Sequence, residues 1–269
     1  MTSLIVRLSG QRWVHRVVAA LSIYRLVGPV LARFPMQRRI TPTGMVYRIT
    51  SLDQLGVADE LFVQRTYAAA LDVGPISSLV DLGCNAGWFP IWLESELPNP
   101  RRSGLLVDAN ERMVVEARWH LNRNGLKHYR VEFGAVGLPP STPAAVFHIL
   151  PSASQSSLLE HQADKQLPVK GRITDVTVPA IAIGRAWRAH FGDAPVDLLK
   201  LDIEGNELDF IRYEGEFLRE RVRAILLEWH KWHVSIDDLD AALGGLGFAR
   251  RGTFAENELT GVAVYRSAG

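Results

Sequence analysis

The segment Leu79-Val80-Asp81-Leu82-Gly83-Cys84-Asn85-Ala86-Gly87-Trp88-Phe89 constrains this chain more than any other. An apolar run this short, closed by a glycine-containing turn and followed by a helix-like stretch, reads as a buried strand of a parallel sheet feeding a covering helix. Gly83 and Gly87 permit close backbone approach, and the free N–H groups at the helix start favour an anionic group there. This is the form of a nucleotide-cofactor turn. A dinucleotide fingerprint would place a second glycine where Asn85 stands, so NAD is disfavoured.

Downstream, strand-like runs at 78–82, 104–107, 131–136, 197–201 and 224–227 alternate with helix-like stretches at 88–97, 111–124, 206–218 and 236–243. Such alternation predicts an α/β fold with a mostly parallel central sheet. Two further runs, 248–254 and 261–265, joined by a polar turn, predict a C-terminal antiparallel hairpin. The stretch between 137 and 196 reads as a long excursion, with a loop-rich part at 137–143 and serines at 152–157, able to cover a substrate.

Ahead of this body, an amphipathic helix with an arginine face is predicted over 13–34, a strand over 45–49, and a helix from the capping-box signature Ser51-Leu52-Asp53-Gln54 to about residue 71. The expected division is an N-terminal helical extension, 1–75, and a cofactor-binding domain, 76–269. Residues 1–50 hold eight arginines and no acid, whereas the rest carries 22 basic against 29 acidic residues. That asymmetry suits a lid on the acidic body, a homodimer contact, or a peripheral contact with an anionic inner-membrane surface. The single cysteine, Cys84, permits no intramolecular disulfide and fits a reducing cytoplasm. No run of about 18 uncharged apolar residues is present, so a spanning helix is not expected.

The cofactor turn, together with Leu105-Leu106-Val107-Asp108-Ala109-Asn110, the serine stretch, Asp197-Leu198-Leu199-Lys200-Leu201-Asp202-Ile203-Glu204-Gly205-Asn206-Glu207 and Leu226-Leu227-Glu228-Trp229-His230, resembles the FkbM family of S-adenosylmethionine (SAM)-dependent methyltransferases. The resemblance spans about 78–228. It implies a Rossmann-like class I methyltransferase fold with SAM as cofactor. Asp81, Gly83, Asn85 and Gly87 would surround the methionine end, with Cys84 a small packed residue in the same turn. Asp108 and Ala109 would meet the ribose, and Ala135 and Val136 the adenine.

Methyl transfer needs an aligned acceptor and, for an alcohol, a route for its proton. Lys200 and Asp202 lie two apart at one strand end, and Glu228 and His230 two apart at the next, so each pair projects to a common side. Asp202, Glu204, Glu228 and His230 are expected to frame the acceptor hydroxyl, with His230 or Asp202 as base. Asp202, Glu228 and His230 also have the donor chemistry for Mg2+ or Mn2+, while a purely hydrogen-bonded network, including a Lys200–Glu204 ion pair, is the plainer reading. The expected activity is O-methylation of a hydroxyl on a sugar, glycolipid or secondary metabolite. The alternatives are a non-catalytic SAM-binding module and a nucleic-acid methyltransferase, the latter disfavoured by the acidic main domain.

Overall fold

The computed structural model describes residues 29–150, 156–159 and 173–268. Most of the predicted arginine-faced helix lies outside these residues, as do residues 152–155 of the serine stretch and His161.

The chain opens with a hairpin of β1 (Met36–Arg39) and β2 (Val46–Ile49). The central sheet then uses β3 (Ser78–Leu82), β4 (Ser103–Asp108), β5 (Tyr129–Phe133), β8 (Leu198–Leu201), β9 (Ala224–His230), β10 (Phe248–Glu256) and β11 (Thr260–Ser267), in the spatial order β10-β11-β9-β8-β3-β4-β5. The five strands from β9 to β5 are parallel, while β11 runs antiparallel to β9 and to β10. Because the chain leaves β3 toward β4 and β5 and returns to β8 and β9 on the other side, the order switches between β3 and β8, where such sheets open a crevice for ligands.

Side-chain alternation fills both faces. Leu79, Leu198, Ala224 and Leu226 join one apolar cluster; Val80, Leu82, Leu199, Leu201, Ile225 and Leu227 join the other. The first cluster is shared with Ile49, Ala58, Leu61, Tyr67, Ala70 and Val73. The segment that precedes β3 is therefore part of the main core. By the same parity Asp81, Lys200 and Glu228 project toward that segment, and this places the site.

The structure departs from the sequence reading at four places. The third parallel strand ends at Phe133 instead of Val136, because Gly134 lies against Ile181 and the Pro179 carbonyl, and Ala135 bridges Ala180. The excursion holds an antiparallel ribbon of β6 (Ala144–Ile149) and β7 (Thr174–Pro179), and a helix Ile183–Phe191. The expected helix 206–218 is two helices, Glu207–Tyr213 and Gly215–Arg221; at the break the Glu214 carboxylate accepts the N–H groups of Ile183 and Gly184 at 2.6 and 3.1 Å and so caps the preceding helix. Finally, the helix begun at Asp53 is α-helical only to Asp59, continues as a π-turn Glu60–Gln64, stops at Arg65 (φ 57°), and resumes as a 3-10 turn Ala68–Val73. Gln54 does reach back, but to Thr50 N–H and Oγ1, and Ser51 caps nothing.

β2 is tied to helix Glu111–Arg123 through a buried ring. His120 Nδ1–H donates to the Glu116 carbonyl, and Nε2 accepts from Arg48 N–H and Trp88 Nε1–H at 2.9 and 3.1 Å. Burial holds this ring neutral, lowering its pKa to about 4. The unfolded chain, with a histidine near 6.5, binds the proton first, so this stabilisation is complete above pH 6.5 and is lost as pH falls toward 4. The full loss is about 3 kcal/mol. Denaturant unfolding should show His120→Gln, less stable at pH 7, losing less between pH 7 and 4.5 than the wild type. Parallel pH slopes would contradict the assignment.

Candidate active site

The carboxyl ends of β3, β4 and β8 surround a cavity of about 450 Å³, within the usual range for small-molecule sites. One side is the turn after β3 with the end of β4: Gly83, Cys84, Asn85, Asp108 and Ala109 line it, with Ala135 and Val136 beyond. Asp108 Oδ2 accepts Asn85 N–H at 2.7 Å, and Oδ1 accepts Asn110 N–H at 2.8 Å. These bonds favour the carboxylate, yet burial prevails and lifts its pKa to about 6. Asn85 (φ 48°) and Glu204 (φ 56°) both take the left-handed region without being glycine, and both line the cavity. Backbone strain of this kind, about 1–3 kcal/mol each, gathers at functional sites.

The glycines of the turn are required by packing. A Cβ on Gly83 would sit 1.7 Å from the Asp202 carbonyl oxygen, and one on Gly87 would sit 2.9 Å from Ala117 Cβ. Gly87 does not line the cavity, and neither does Asp81. Asp81 is fully buried beneath it, with Lys200 Nζ 3.7 Å away. Cys84 is buried on the wall, and burial pushes its thiol well above the ordinary range, which disfavours the thiolate.

The opposite side is acidic. Glu60, Asp202, Glu204 and Glu228 line it with Lys200 and Tyr67. Lys200 Nζ donates to Asp202 Oδ2 at 3.0 Å. Although burial opposes its charge, Asp202 and Asp81 together hold Lys200 firmly cationic. The expected Lys200–Glu204 pair is therefore replaced by one with Asp202 and Asp81. Tyr67 O–H donates to Glu228 Oε2 at 2.6 Å; burial, then Asp202 and Glu60, raise the Glu228 pKa to about 8.

His230 does not reach the cavity. Its Nε2 lies 3.2 Å from Glu204 Oε2 and its Nδ1 2.9 Å from Glu207 Oε1. Burial works against the imidazolium, but the two carboxylates raise its pKa well above 6.5. A ring held protonated by two acids positions Glu204 and is a poor base. The oxygens of Asp202 and Glu204 and a His230 nitrogen do lie within 4.8 Å of one another, but Glu228 of the expected trio is turned to Tyr67. Both ring nitrogens are engaged and Lys200 already neutralises Asp202, so these residues do not fit a divalent cation.

Tyr67 and Glu60 escaped sequence reasoning, since both lie in a segment that reads as ordinary helix. The excursion does reach the site: Phe147, Ser156 and Leu158 line the cavity, and Ser157 Oγ donates to the Glu204 carbonyl at 2.9 Å. Trp229 is buried in the core, while Trp232 covers Gly205. Among the described residues no helix is long and apolar enough to cross a membrane.

The methyltransferase FkbM domain matches residues 103–250, more than half of the chain. No curated protein matches the sequence. Among solved structures, a human methyltransferase 10 domain containing protein is 13% identical, with 91% of this chain and 95% of that one covered and a TM-score of 0.51. A SAM dependent methyltransferase from Aquifex aeolicus is 12% identical over 77% of this chain and 92% of its own, with a TM-score of 0.43. An O-methyltransferase from neocarzinostatin biosynthesis, solved with S-adenosyl-L-homocysteine and 1,4-dihydroxy-2-naphthoic acid, is 13% identical over 81% of this chain but only 57% of its own, with a TM-score of 0.44. The fold is the Rossmann-like methyltransferase fold.

Proposed function

Because this chain belongs to the methyltransferase FkbM domain family, we propose that it is a SAM-dependent O-methyltransferase whose acceptor is a hydroxyl of a sugar, glycolipid or secondary metabolite. The observation that carries this reading is the two-sided cavity at the β3/β8 switch point, with the glycine turn after β3 on one wall and a carboxylate cluster on the other.

SAM supplies an electrophilic methyl group on a sulfonium, and its net cation suits a cavity in which five carboxylates face one lysine. The turn N–H groups would take the methionine carboxylate, Asp108 the ribose hydroxyls, and Ala135 and Val136 the adenine. Lys200 and His230 hold Asp202 and Glu204 in place, so the acceptor enters a preorganised polar wall and positioning does most of the catalytic work. Ser156, Leu158 and Phe147 border the cavity where they can exclude water.

Calorimetric titration tests the cofactor half. The wild type should bind SAM in the micromolar range and NAD not at all. Asp108→Asn, which keeps the side chain's shape and one of its two bonds to the Asn85 and Asn110 N–H groups, should weaken SAM binding about 10- to 100-fold, as for hydrogen bonds to a charged group. Failure of well-folded protein to bind SAM would remove the basis of the reading. Transfer of labelled methyl from SAM to a panel of hydroxylated glycans and phenols then tests the acceptor half.

A further inference from the structure

Five carboxylates line the cavity, and four are already engaged. Asp108 accepts two backbone N–H groups, Asp202 pairs with Lys200, Glu204 pairs with His230, and Glu228 accepts from Tyr67. Glu60 is different. It lines the same cavity, and among the described residues no hydrogen bond or ion pair reaches its carboxylate.

Its backbone is fixed nonetheless. Glu60 opens the π-turn, its carbonyl accepts the N–H and Oγ1 of Thr66 at 3.2 and 3.3 Å, and Arg65 beyond the turn pairs with Glu96 at 2.6 Å. Single π-turns recur at functional sites, since the widened turn re-aims one side chain. Leu61, the next residue, is buried in the core and anchors the turn against it. Lys200, Asp202 and Glu204 face Glu60 from the end of β8, Glu228 from β9, Tyr67 from the loop after the turn, and Asp59 from its own segment.

We propose that Glu60 is the general base of methyl transfer, the carboxylate that receives the acceptor proton. This deepens the O-methyltransferase reading and rests on it. As the acceptor oxygen bonds to the methyl carbon, the C–S bond breaks with its electron pair remaining on sulfur, and the hydroxyl proton passes to a Glu60 oxygen. The products are the methyl ether, S-adenosylhomocysteine and a neutral Glu60 that returns its proton to water. Burial, then Asp202, lift the Glu60 pKa to about 7, near the operating pH that suits a base.

The sulfonium offers a test that needs no acceptor. Near pH 7 Glu60 is about half protonated, and an arriving cation favours its ionised form. Calorimetry in phosphate and in Tris counts the protons exchanged. Glu60 should contribute up to about half a proton to the release on binding SAM, beside what Glu228 gives up, and clearly less on binding S-adenosylhomocysteine, whose thioether is uncharged. Glu60→Gln should bind both ligands but lose the Glu60 share of the difference, and Glu60→Asp should retain it. On an acceptor found by the methyl-transfer screen, Glu60→Gln should lower kcat about 100-fold or more, a far larger effect than the several-fold rise in the KM for SAM that losing the carboxylate's attraction for the sulfonium entails. Equal proton release by wild type and Glu60→Gln, or wild-type turnover by the variant, overturns the assignment of Glu60. Absence of SAM binding by folded wild type overturns the methyltransferase reading itself, so the two failures are distinguishable.

Discussion

Gly83→Ala is expected to yield little or no folded protein. A Cβ at this position would lie 1.7 Å from the Asp202 carbonyl oxygen and 2.9 Å from its carbonyl carbon, and neither is a side-chain atom that can swing away. The turn is further pinned by Gly83 N–H donating to the Val107 carbonyl and Asp202 N–H to the Leu82 carbonyl, at 3.0 and 3.3 Å. Relief would require β3 and β8, the central pair of the sheet, to separate at the end where they hold the site. The left-handed backbone at Gly83 (φ 68°) adds about 1 kcal/mol for any residue with a Cβ. Together these place the variant beyond about 4–5 kcal/mol, the extreme tail of single substitutions. Gly87→Ala, whose nearest neighbour is the Ala117 side chain, should be milder. Soluble yield and the denaturant midpoint decide the matter. A Gly83→Ala protein with a wild-type midpoint would mean that the Asp202 turn shifts freely, and the rigid wall described above would not exist.

Lys200→Met should cost about 3–5 kcal/mol at pH 8, the usual penalty for leaving one member of a buried pair uncompensated. Lys200 stands in register beside Asp81 and is nearly as buried. Even with that neighbour, burial lifts the Asp81 carboxyl to about 6, above the roughly 3.9 of an unfolded aspartate. A carboxyl whose folded pKa is raised favours the native state at low pH and loses that contribution as pH rises through the folded value. Removing Lys200 lifts the folded value further, so the deficit of Lys200→Met should grow between pH 5 and pH 8. Adding Asp81→Asn should recover part of it, because the stranded charge is gone. A pH-independent deficit, or no recovery in the double variant, would show that Lys200 acts mainly by packing.

The pair also shows where sequence reasoning reached its limit. Spacing placed Lys200 and Asp202 on one side of a strand end, and they do touch. It offered Glu204 as the ion-pair partner of Lys200. In the fold the true second partner is Asp81, more than a hundred residues away and adjacent only because β3 and β8 are hydrogen-bonded neighbours. His230 illustrates the same limit. Its two-residue spacing from Glu228 is real, yet the Glu204 turn and Glu207 close over the ring, turning an expected base into a buried cation. Helix 183–191 does carry a helical period, since Ile183, Trp187 and Phe191 recur four apart and pack on the core; it was missed because the whole stretch 137–196 read as a covering excursion.

Local chemistry determined what could be read from the sequence alone. Strand–turn–helix alternation, the Gly83–Gly87 turn and the acidic strand ends are properties of neighbouring residues, and they sufficed for the fold class and the family. Tertiary structure alone decided which groups face one another across the cavity. Strand order set Asp81 beside Lys200, side-chain parity aimed Asp81, Lys200 and Glu228 at one face, and the packing of residues 46–73 on that face brought Tyr67 and Glu60 over them. The physical reason is that a hydrogen bond or charge pair depends on separation in space, and a parallel sheet joins by its ladder residues that the sequence keeps far apart.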